Sequence, residues 1–289
     1  MKKQKNEKTI YKVFMVFFAV AFVVAAGIML RNWYIRSQAE KKLEELANQT
    51  VTTEIEAVET VADTEAAEEP EVLDANALLA KLEIELPEKN VDFTALLEEN
   101  PDIYAWVYIP EIGIDYPVLQ HPTDDAYYLE HNLDGSAGLP GTIYTESVNS
   151  KDFTDPNTVL YGHNMKNGTM FGALHDLEDG QVFEETQYIY IYTPEQTYVY
   201  QIFAAYEYNA IHLFYNFDLT NKEIFQNYLD QIFEIRDMNM HIRDGVEVNA
   251  DHHIITLSTC VSGQKNKRFL VQGVLLNDPE FYEKNLDLL

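Results

Sequence analysis

The stretch HHIITLSTCVSGQKNKRFLVQGVLL, residues 252–276, contains two β-forming runs separated by a polar segment. Isoleucine, valine, leucine, threonine and phenylalanine dominate both runs, and such residues are typical of strands. The polar segment CVSGQKNK predicts a loop between neighbouring strands, with Cys260 where the first strand ends and Arg268 where the second begins. Since a strand end holds a side chain rigidly, this stretch indicates both a β-rich fold and a candidate site.

Six further β-like runs precede this stretch, and Gly, Pro, Asn or Asp bounds them. The runs are YAWVYI, IDYPVLQ, GTIYT, NTVLYG, YIYIYT and TYVYQIF, and TPEQ at 193–196 predicts a hairpin turn between the last two. About eight short strands favour a closed barrel or a sandwich. Apolar residues at helical spacing predict helices at 73–85, 93–99 and 219–236, with a shorter helical interruption at 170–177.

The N-terminal part contains a candidate membrane span. Residues 13–30, VFMVFFAVAFVVAAGIML, are uncharged and mostly apolar. A helix of this length extends roughly 27 Å, which is enough to cross the core of a bilayer. A cleaved signal peptide is the alternative, but the run exceeds a typical signal core and no clean cleavage site follows it. We therefore interpret it as an anchor, and the lysines before it favour a cytoplasmic N-terminus.

Between this span and the β-rich part the composition becomes acidic. Residues 37–50 fit a short helix that continues from the membrane, whereas 51–71 contain eight acidic and no basic residues. This composition predicts a flexible spacer that holds the domain away from the membrane, and a frayed helix fits it as well. The predicted organisation is a cytoplasmic tail at 1–12, a transmembrane anchor at 13–33, an extracytoplasmic spacer at 34–72 and a single globular domain at 73–289.

The net charge of -28 is unevenly distributed along the chain. Residues 1–36 carry seven of the 20 Lys and Arg residues but one of the 48 acidic residues. The remainder is so acidic that it should repel nucleic acid phosphates, so we do not expect nucleic acid as a partner. The single cysteine, Cys260, excludes an intrachain disulfide, so packing or chemistry must explain it.

Cys260 and His163 are candidate catalytic residues. A thiol attacks well only as the thiolate, so it needs a nearby cation or proton acceptor. His163 follows the run NTVLYG, where we expect Gly162 to let the backbone turn and expose the ring. An imidazole can protonate a leaving amine and later deprotonate an incoming one. The alternative for Cys260 taken alone is a buried structural cysteine, and His163 is one of eight histidines.

Arg268 is the candidate electrostatic partner of the thiol. If the two strands of the stretch pair, its guanidinium comes beside Cys260, where its charge and fork of donors can stabilise an oxyanion. Lys265 and Lys267 are rival cations, which we interpret as solubilising residues. Two histidines nearer to Cys260 in sequence, at 252 and 253, do not sit at a strand end and rank behind His163.

These motifs together resemble the sortases. The resemblance rests on TLSTC at 256–260, Arg268 ahead of an apolar strand, and YGHNM at 161–165. The chain resembles class B sortases in particular. The motifs that carry this resemblance are IDYPVLQ at 114–120, DDAYYLEHNLDG at 124–135, GTIYTE at 141–146, NTVLYGHNMKNGTMFGALHDL at 157–177 and the helical insertion at 219–236. The resemblance covers roughly residues 90–276.

The resemblance implies a mainly β fold. Its centre is an eight-stranded sortase barrel, with helices before it, a long helix inserted between late strands and one N-terminal transmembrane helix. It also implies a class B transpeptidase in which Cys260 is the nucleophile, His163 the general acid and base, and Arg268 the support of the oxyanion. Candidate walls of the peptide pocket by the same resemblance are Asp125, Leu129 and Ser258. Relatives often carry Asn at the place of Asp125, so we expect a different preference for the sorting motif.

The implied partners are secreted proteins with a C-terminal sorting signal and an amine of the peptidoglycan precursor. The enzyme would cleave the signal after Thr through a thioacyl-enzyme, at the cell membrane with its catalytic domain outside. The acid pairs typical of class A calcium ligands are not identifiable, so we expect no metal and no cofactor. Two alternatives remain open at this point, a surface cysteine protease that hydrolyses the acyl-enzyme and a catalytically silent surface-binding module.

Overall fold

The computed structural model describes residues 2–49, 75–236 and 240–284. Strands in these ranges are, in chain order, β1 Ile103–Ile109, β2 Ile114–Leu119, β3 Ile143–Tyr144, β4 Asn157–Tyr161, β5 Tyr188–Tyr192, β6 Thr197–Asn209, β7 His241–Ile242, β8 Ile254–Val261 and β9 Gln264–Leu275. Helices in the same ranges are α1 Lys2–Gln49, α2 Ala75–Lys81, α3 Phe93–Glu99, α4 Tyr127–Glu130, α5 Gly180–Glu185, α6 Leu213–Asn216, α7 Lys222–Glu234 and α8 Pro279–Lys284. Two 3₁₀ helices lie at Pro110–Ile112 and Phe171–Glu178.

Eight of these strands close into a barrel. Their order is β5-β1-β2-β3-β4-β8-β9-β6, and β6 pairs again with β5 to complete the ring. The pairs β2–β3 and β4–β8 are parallel and the others are antiparallel, while β7 extends the edge of β6 beyond β5. Full closure leaves these strands without free edges. The predicted eight-stranded barrel is confirmed, and TPEQ turns between β5 and β6 as expected.

The barrel has an apolar interior and a second apolar cluster on its outer face. Side chains that alternate along the strands contribute to both. Because successive side chains point to opposite sides of a sheet, Ile255 and Leu257 of β8 join the interior cluster. Ile254 instead joins a second cluster, which lies between the sheet and α7. Helix α7 begins at an Asn221 cap and buries one face of aromatic and aliphatic residues there. This is the inserted helix predicted at 219–236, shorter by a few residues at each end.

Helix α1 is continuous from the apolar run into the folded domain. The run is exposed, and the helix is long and apolar enough to cross a membrane by length and composition. Farther along, Leu43 and Leu46 are each 4% exposed and belong to clusters of the domain. Lys42 pairs with Glu99 at 2.8 Å. Residues 37–49 are thus helical as predicted, and the structure adds that this part of α1 packs against the domain.

Other elements also differ in extent from the prediction. The helix expected at 73–85 is α2, Ala75–Lys81, and residues 73–74 lie outside the described residues, as does the acidic segment 51–71. The interruption at 170–177 is a 3₁₀ helix. The loop predicted at 260–267 is wrong in length, because β8 continues to Val261 and β9 already begins at Gln264. The turn needs only two residues, and the register shifts just beyond Cys260.

Candidate active site

A pocket of about 310 Å³ lies on the outer face of the barrel, where β4 and β8 end. Residues 208–213, between the end of β6 and the start of α6, form one side of it. Five of the six predicted site residues line this pocket: Leu129, His163, Ser258, Cys260 and Arg268. Cys260 is exposed, so its sulfur belongs to the pocket surface rather than to the core.

The parallel ladder β4–β8 brings the histidine to the cysteine. Tyr161 pairs with Ser258, and the amide of Gly162 donates to the Ser258 carbonyl at 3.2 Å. The hydroxyl of Thr259 donates to the Gly162 carbonyl at 2.9 Å. His163 follows Tyr161 by two residues, and Cys260 follows Ser258 by two residues. Because side chains two residues apart point to the same face of a sheet, both side chains lie on one face. The carboxyl ends of two parallel strands therefore deliver the imidazole and the thiol to one edge.

The antiparallel ladder β8–β9 brings the arginine to the same cysteine. Cys260 pairs directly with Arg268, and directly opposed residues have Cβ atoms about 4.5–5.5 Å apart on one face. The Arg268 guanidinium also donates to the Lys267 carbonyl at 2.9 Å. This bond lies next to the point where the β8–β9 register shifts. The Lys267 ammonium pairs with Glu207, so the structure gives this lysine another partner.

The ring of His163 is partly exposed and oriented by a backbone carbonyl. Its Nε2 lies 2.7 Å from the Leu129 oxygen, and a carbonyl can only accept, so Nε2 carries the hydrogen. Gly162 does not have a positive φ, so its place before His163 does not depend on a left-handed backbone. A Cβ there would meet Ile143 Cδ1 at 2.5 Å and the Phe171 ring at 2.7 Å. Close packing, not backbone freedom, requires glycine beside His163.

Behind the thiol, a polar network that the sequence analysis missed holds the Cys260 carbonyl. Asn164 Nδ2 donates to this oxygen at 2.7 Å, and His175 Nε2 lies 3.1 Å from it. Glu178 binds the other ring nitrogen of His175, and the ring stacks on Phe269 with centroids 4.8 Å apart. The spacing of three between His175 and Glu178 on a helical segment is the signal that could have indicated this pair.

Aromatic side chains form neutral walls of the pocket. Tyr144 and Tyr161 stack with ring centroids 5.4 Å apart. Burial raises the pKa of both phenols, so both stay protonated at neutral pH. His212 bonds Glu146 at 2.8 Å and thereby ties the segment after β6 to the loop after β3. The walls around the thiol thus combine apolar rings with a fixed polar edge.

Asp125, the sixth predicted residue, is not among the residues that line the pocket. Its carboxylate accepts a hydrogen bond from the Ser147 amide at 2.7 Å. The two histidines that ranked behind His163 have other contacts, since His253 pairs with Asp278 and His252 stacks on Phe281. Within the described residues, no group of three or more His, Cys, Asp and Glu is arranged to hold a metal ion.

A comparison with known protein families matches most of the barrel, from the second half of β1 to the end of β9. The Sortase domain family matches residues 107–276, which include the pocket. The chain belongs to the sortase family. Sortase B of Listeria monocytogenes is 31% identical over 179 residues, which are 61% of this chain and 71% of the relative. Sortase B of Staphylococcus aureus is 29% identical over 186 residues, 64% of this chain and 74% of the relative.

Solved structures agree with these relatives. The crystal structure of Clostridium perfringens sortase B matches with a TM-score of 0.56 at 30% identity, over 64% of this chain and 99% of that one. Sortase B from Bacillus anthracis matches with a TM-score of 0.63 at 25% identity, over 85% of this chain and 98% of that one. The predicted class B sortase is confirmed. As a member of this family the chain is a cysteine transpeptidase of the cell envelope.

Proposed function

We propose that this sortase cleaves a C-terminal sorting signal of secreted proteins after Thr and transfers the protein to an amine of the peptidoglycan precursor. Cys260 is the nucleophile, His163 the general acid and base, and Arg268 the oxyanion support. The observation that carries the proposal is the shared pocket. Strand β8 pairs with β4 on one side and with β9 on the other, and these two pairings bring the three side chains to the same pocket.

The first half of the reaction forms a thioacyl-enzyme. The Cys260 thiolate attacks the carbonyl carbon of the signal's threonine, and the oxyanion develops beside the Arg268 fork. As the C–N bond breaks, the protonated His163 gives its proton to the leaving amine. The thiolate sulfur is then bound to the acyl carbon, and the imidazole is neutral.

The second half of the reaction returns the enzyme to its starting state. The nitrogen of the acceptor amine attacks the thioester carbon, and the neutral His163 takes the proton that this nitrogen loses. The C–S bond breaks and the thiolate leaves. A new amide bond joins the secreted protein to the acceptor, and no external oxidant or cofactor enters the balance.

The walls of the pocket suit an extended peptide. Leu129 and Ser258 line the same pocket as the three reacting groups, so we propose that both contact the sorting signal. Asp125 contributes differently, because its carboxylate already caps the Ser147 amide. We therefore propose that Asp125 acts on the signal through the shape of the loop at 146–149 and through its negative charge near the pocket mouth.

The N-terminal helix supports a membrane location for this reaction. We propose that residues 13–33 anchor the chain, that residues 1–12 lie in the cytoplasm, and that the domain from residue 73 onward lies outside. The lysine-rich residues 2–12 favour this orientation. Both proposed partners, an exported protein and a cell-wall precursor, are available on the outer side.

The test uses the full chain in detergent with a panel of sorting-signal peptides and candidate amines, read by mass spectrometry. We expect a transfer product and an adduct on Cys260. The matched control is Cys260→Ala, for which we expect turnover to fall by about a thousandfold or more while circular dichroism stays unchanged. Persistent turnover by Cys260→Ala would show that the sulfur is not the nucleophile.

The same assay separates the alternatives. Hydrolysed peptide with no transfer to any amine would indicate a protease, since water then resolves the acyl-enzyme. No adduct on Cys260 with any peptide would indicate a surface-binding module. A transfer product restricted to one signal and one amine would instead identify the substrate pair.

A further inference from the structure

A cleft of about 450 Å³ lies between α1 and the loop at 137–139. On the helix side it is lined by four residues within 32–36, among them Trp33 and Arg36. Leu139 is 47% exposed and Trp33 is 66% exposed. A large aliphatic side chain is therefore presented to the solvent beside an exposed indole, directly above the apolar run of the helix.

The position of the cleft along α1 gives the depth of the loop relative to a membrane that α1 spans. The apolar run ends at Leu30, so the helical residues that line the cleft stand about 3–9 Å beyond it along the axis. The headgroup layer on each side of a bilayer is roughly 5–7 Å thick, and tilting of the helix lowers these heights further. A loop that contacts α1 at this level must enter the headgroup layer whenever α1 spans a membrane.

The depth is fixed because both the helix and the loop are held in place. Leu43, Leu46 and the pair of Lys42 with Glu99 dock α1 on the domain. Within the loop, the amide of Gly138 donates to the Glu130 carbonyl at 2.8 Å, and further hydrogen bonds connect residues 132 and 136. Leu139 is thus exposed on a loop that hydrogen bonds hold in one conformation.

We propose that residues 137–139 form a second membrane contact, with Leu139 packed among the lipid headgroups and upper acyl chains beside Trp33. This contact rests on the proposed anchoring by α1. Arg36 of the cleft is paired with Glu40, and exposed carboxylates lie nearby at Glu130, the last residue of α4, and at Asp134, so the contact is apolar and does not select anionic lipids.

The contact connects the membrane to the reacting imidazole. The loop follows α4, and in this helix the Leu129 carbonyl accepts the hydrogen bond from His163. It ends at Gly141, whose amide donates to the Asn132 side chain at 3.1 Å. A Cβ at this position would lie 3.4 Å from the His163 ring. The segment 129–141 thus links the proposed membrane contact to residues that hold the His163 ring at the edge of the pocket.

The decisive experiment measures depth in the bilayer with the full chain. In a Cys260→Ser background, a single cysteine at position 139 carries a polarity-sensitive fluorophore, and the chain is reconstituted into phosphatidylcholine vesicles containing lipid with a headgroup quencher. Phe22→Cys within the apolar run and Tyr215→Cys, where the native side chain is 82% exposed, serve as matched controls. We expect quenching at 139 to exceed quenching at 215 by about twofold or more.

The controls keep the two proposals apart. A probe at 22 in the hydrocarbon together with a probe at 139 that is no more quenched than the one at 215 overturns the second contact and leaves the anchor intact. A probe at 22 in water overturns the anchor, and the contact with it. Quenching at 139 that appears only with phosphatidylglycerol overturns the apolar character of the contact.

A second variant tests the link to the pocket. We expect Leu139→Asp to lower transfer activity by about threefold in vesicles and to leave it unchanged in detergent, because a charge is expelled from the headgroup layer. Leu86→Asp, at a position that is 40% exposed and lines neither the cleft nor the pocket, is the matched control. Equal activity of the Leu139 variant in vesicles and in detergent overturns the link.

Discussion

The two sides of Cys260 are built in opposite ways. On the pocket side, its side chain meets residues delivered by neighbouring strand ends, and the thiol and the His163 ring are both accessible. On the other side, its carbonyl is held by Asn164 and by His175, which Glu178 supports in turn. The pocket side holds the reactive groups, whereas the rear side holds the backbone that carries the sulfur.

This difference separates chemistry from support. Residues on the pocket side should be replaceable with little loss of stability, because they bury little and brace little. Residues of the rear network should affect stability and activity together, since a misplaced carbonyl also moves the sulfur. The following variants can break or sharpen this distinction.

His163→Ala should have the largest effect on the pocket side. We expect kcat/KM to fall by about 10²–10⁴-fold, since both proton transfers lose their carrier. The melting temperature should change by less than about 2 °C, as expected for a partly exposed side chain. His252→Asn, next to the start of β8 and therefore at the opposite end of that strand from Cys260, is the control and should retain activity. A large drop in melting temperature for His163→Ala would place this residue with the support.

Arg268→Lys keeps the charge and removes the planar fork. We expect kcat/KM to fall by about 10²–10³-fold with an unchanged fold, because a lysine cannot reproduce two parallel donors. Lys265→Ala is the control, since only its backbone carbonyl faces the arginine. Near-normal kinetics of Arg268→Lys would show that charge alone suffices at this position.

Asn164→Ala should act through the backbone. We expect it to lower kcat/KM by about tenfold and the free energy of unfolding by about 1 kcal/mol, because the Cys260 carbonyl loses a donor. His175→Ala should behave alike, and the double variant should cost less than the sum of the two. Alkylation rates of Cys260 and urea unfolding measure both effects. Strict additivity would mean that the two side chains do not act on one carbonyl.

Gly162→Ala should have the smallest effect on chemistry and a clear effect on stability. The added methyl group would overlap with Ile143 and Phe171, and overpacking of this kind costs about 1–3 kcal/mol. Ile143→Val removes the nearest atom, so the double variant should recover part of the loss in a thermal melt. If Gly162→Ala melts like the parent chain, close packing does not explain this glycine.

The strands of the barrel could be located from the sequence because alternation and β-branched residues mark them directly. The hairpins β5–β6 and β8–β9 could also be predicted, but the pairing of strands distant in sequence could not, since it depends on contacts between residues up to about a hundred positions apart, such as Thr259 with Gly162. The short strand β7 and the length of the β8–β9 hairpin could not be predicted either. Each involves too few residues for a periodic pattern to appear.

Candidate residues of the site could be selected from the sequence where the residue type is itself reactive. Residues that only support the backbone could not be selected in this way. Cys260, His163 and Arg268 carry recognisable chemistry beside recognisable strands. Asn164 and His175 look like ordinary polar residues until the fold aims them at one carbonyl. Likewise, helical spacing of Leu43 and Leu46 predicted a helix, but only the barrel surface shows what that helix packs against.

The barrel order has a consequence for how the protein matures. Strands β8 and β9 insert between β4 and β6, although they are the last strands in the chain. Because synthesis proceeds from the N-terminus, the ring must stay open until the residues of β9 are available. Until then His163 and Cys260 are not held next to each other, since the β4–β8 ladder that joins them is one of the last to form. The pocket is therefore assembled only in the final step of barrel closure.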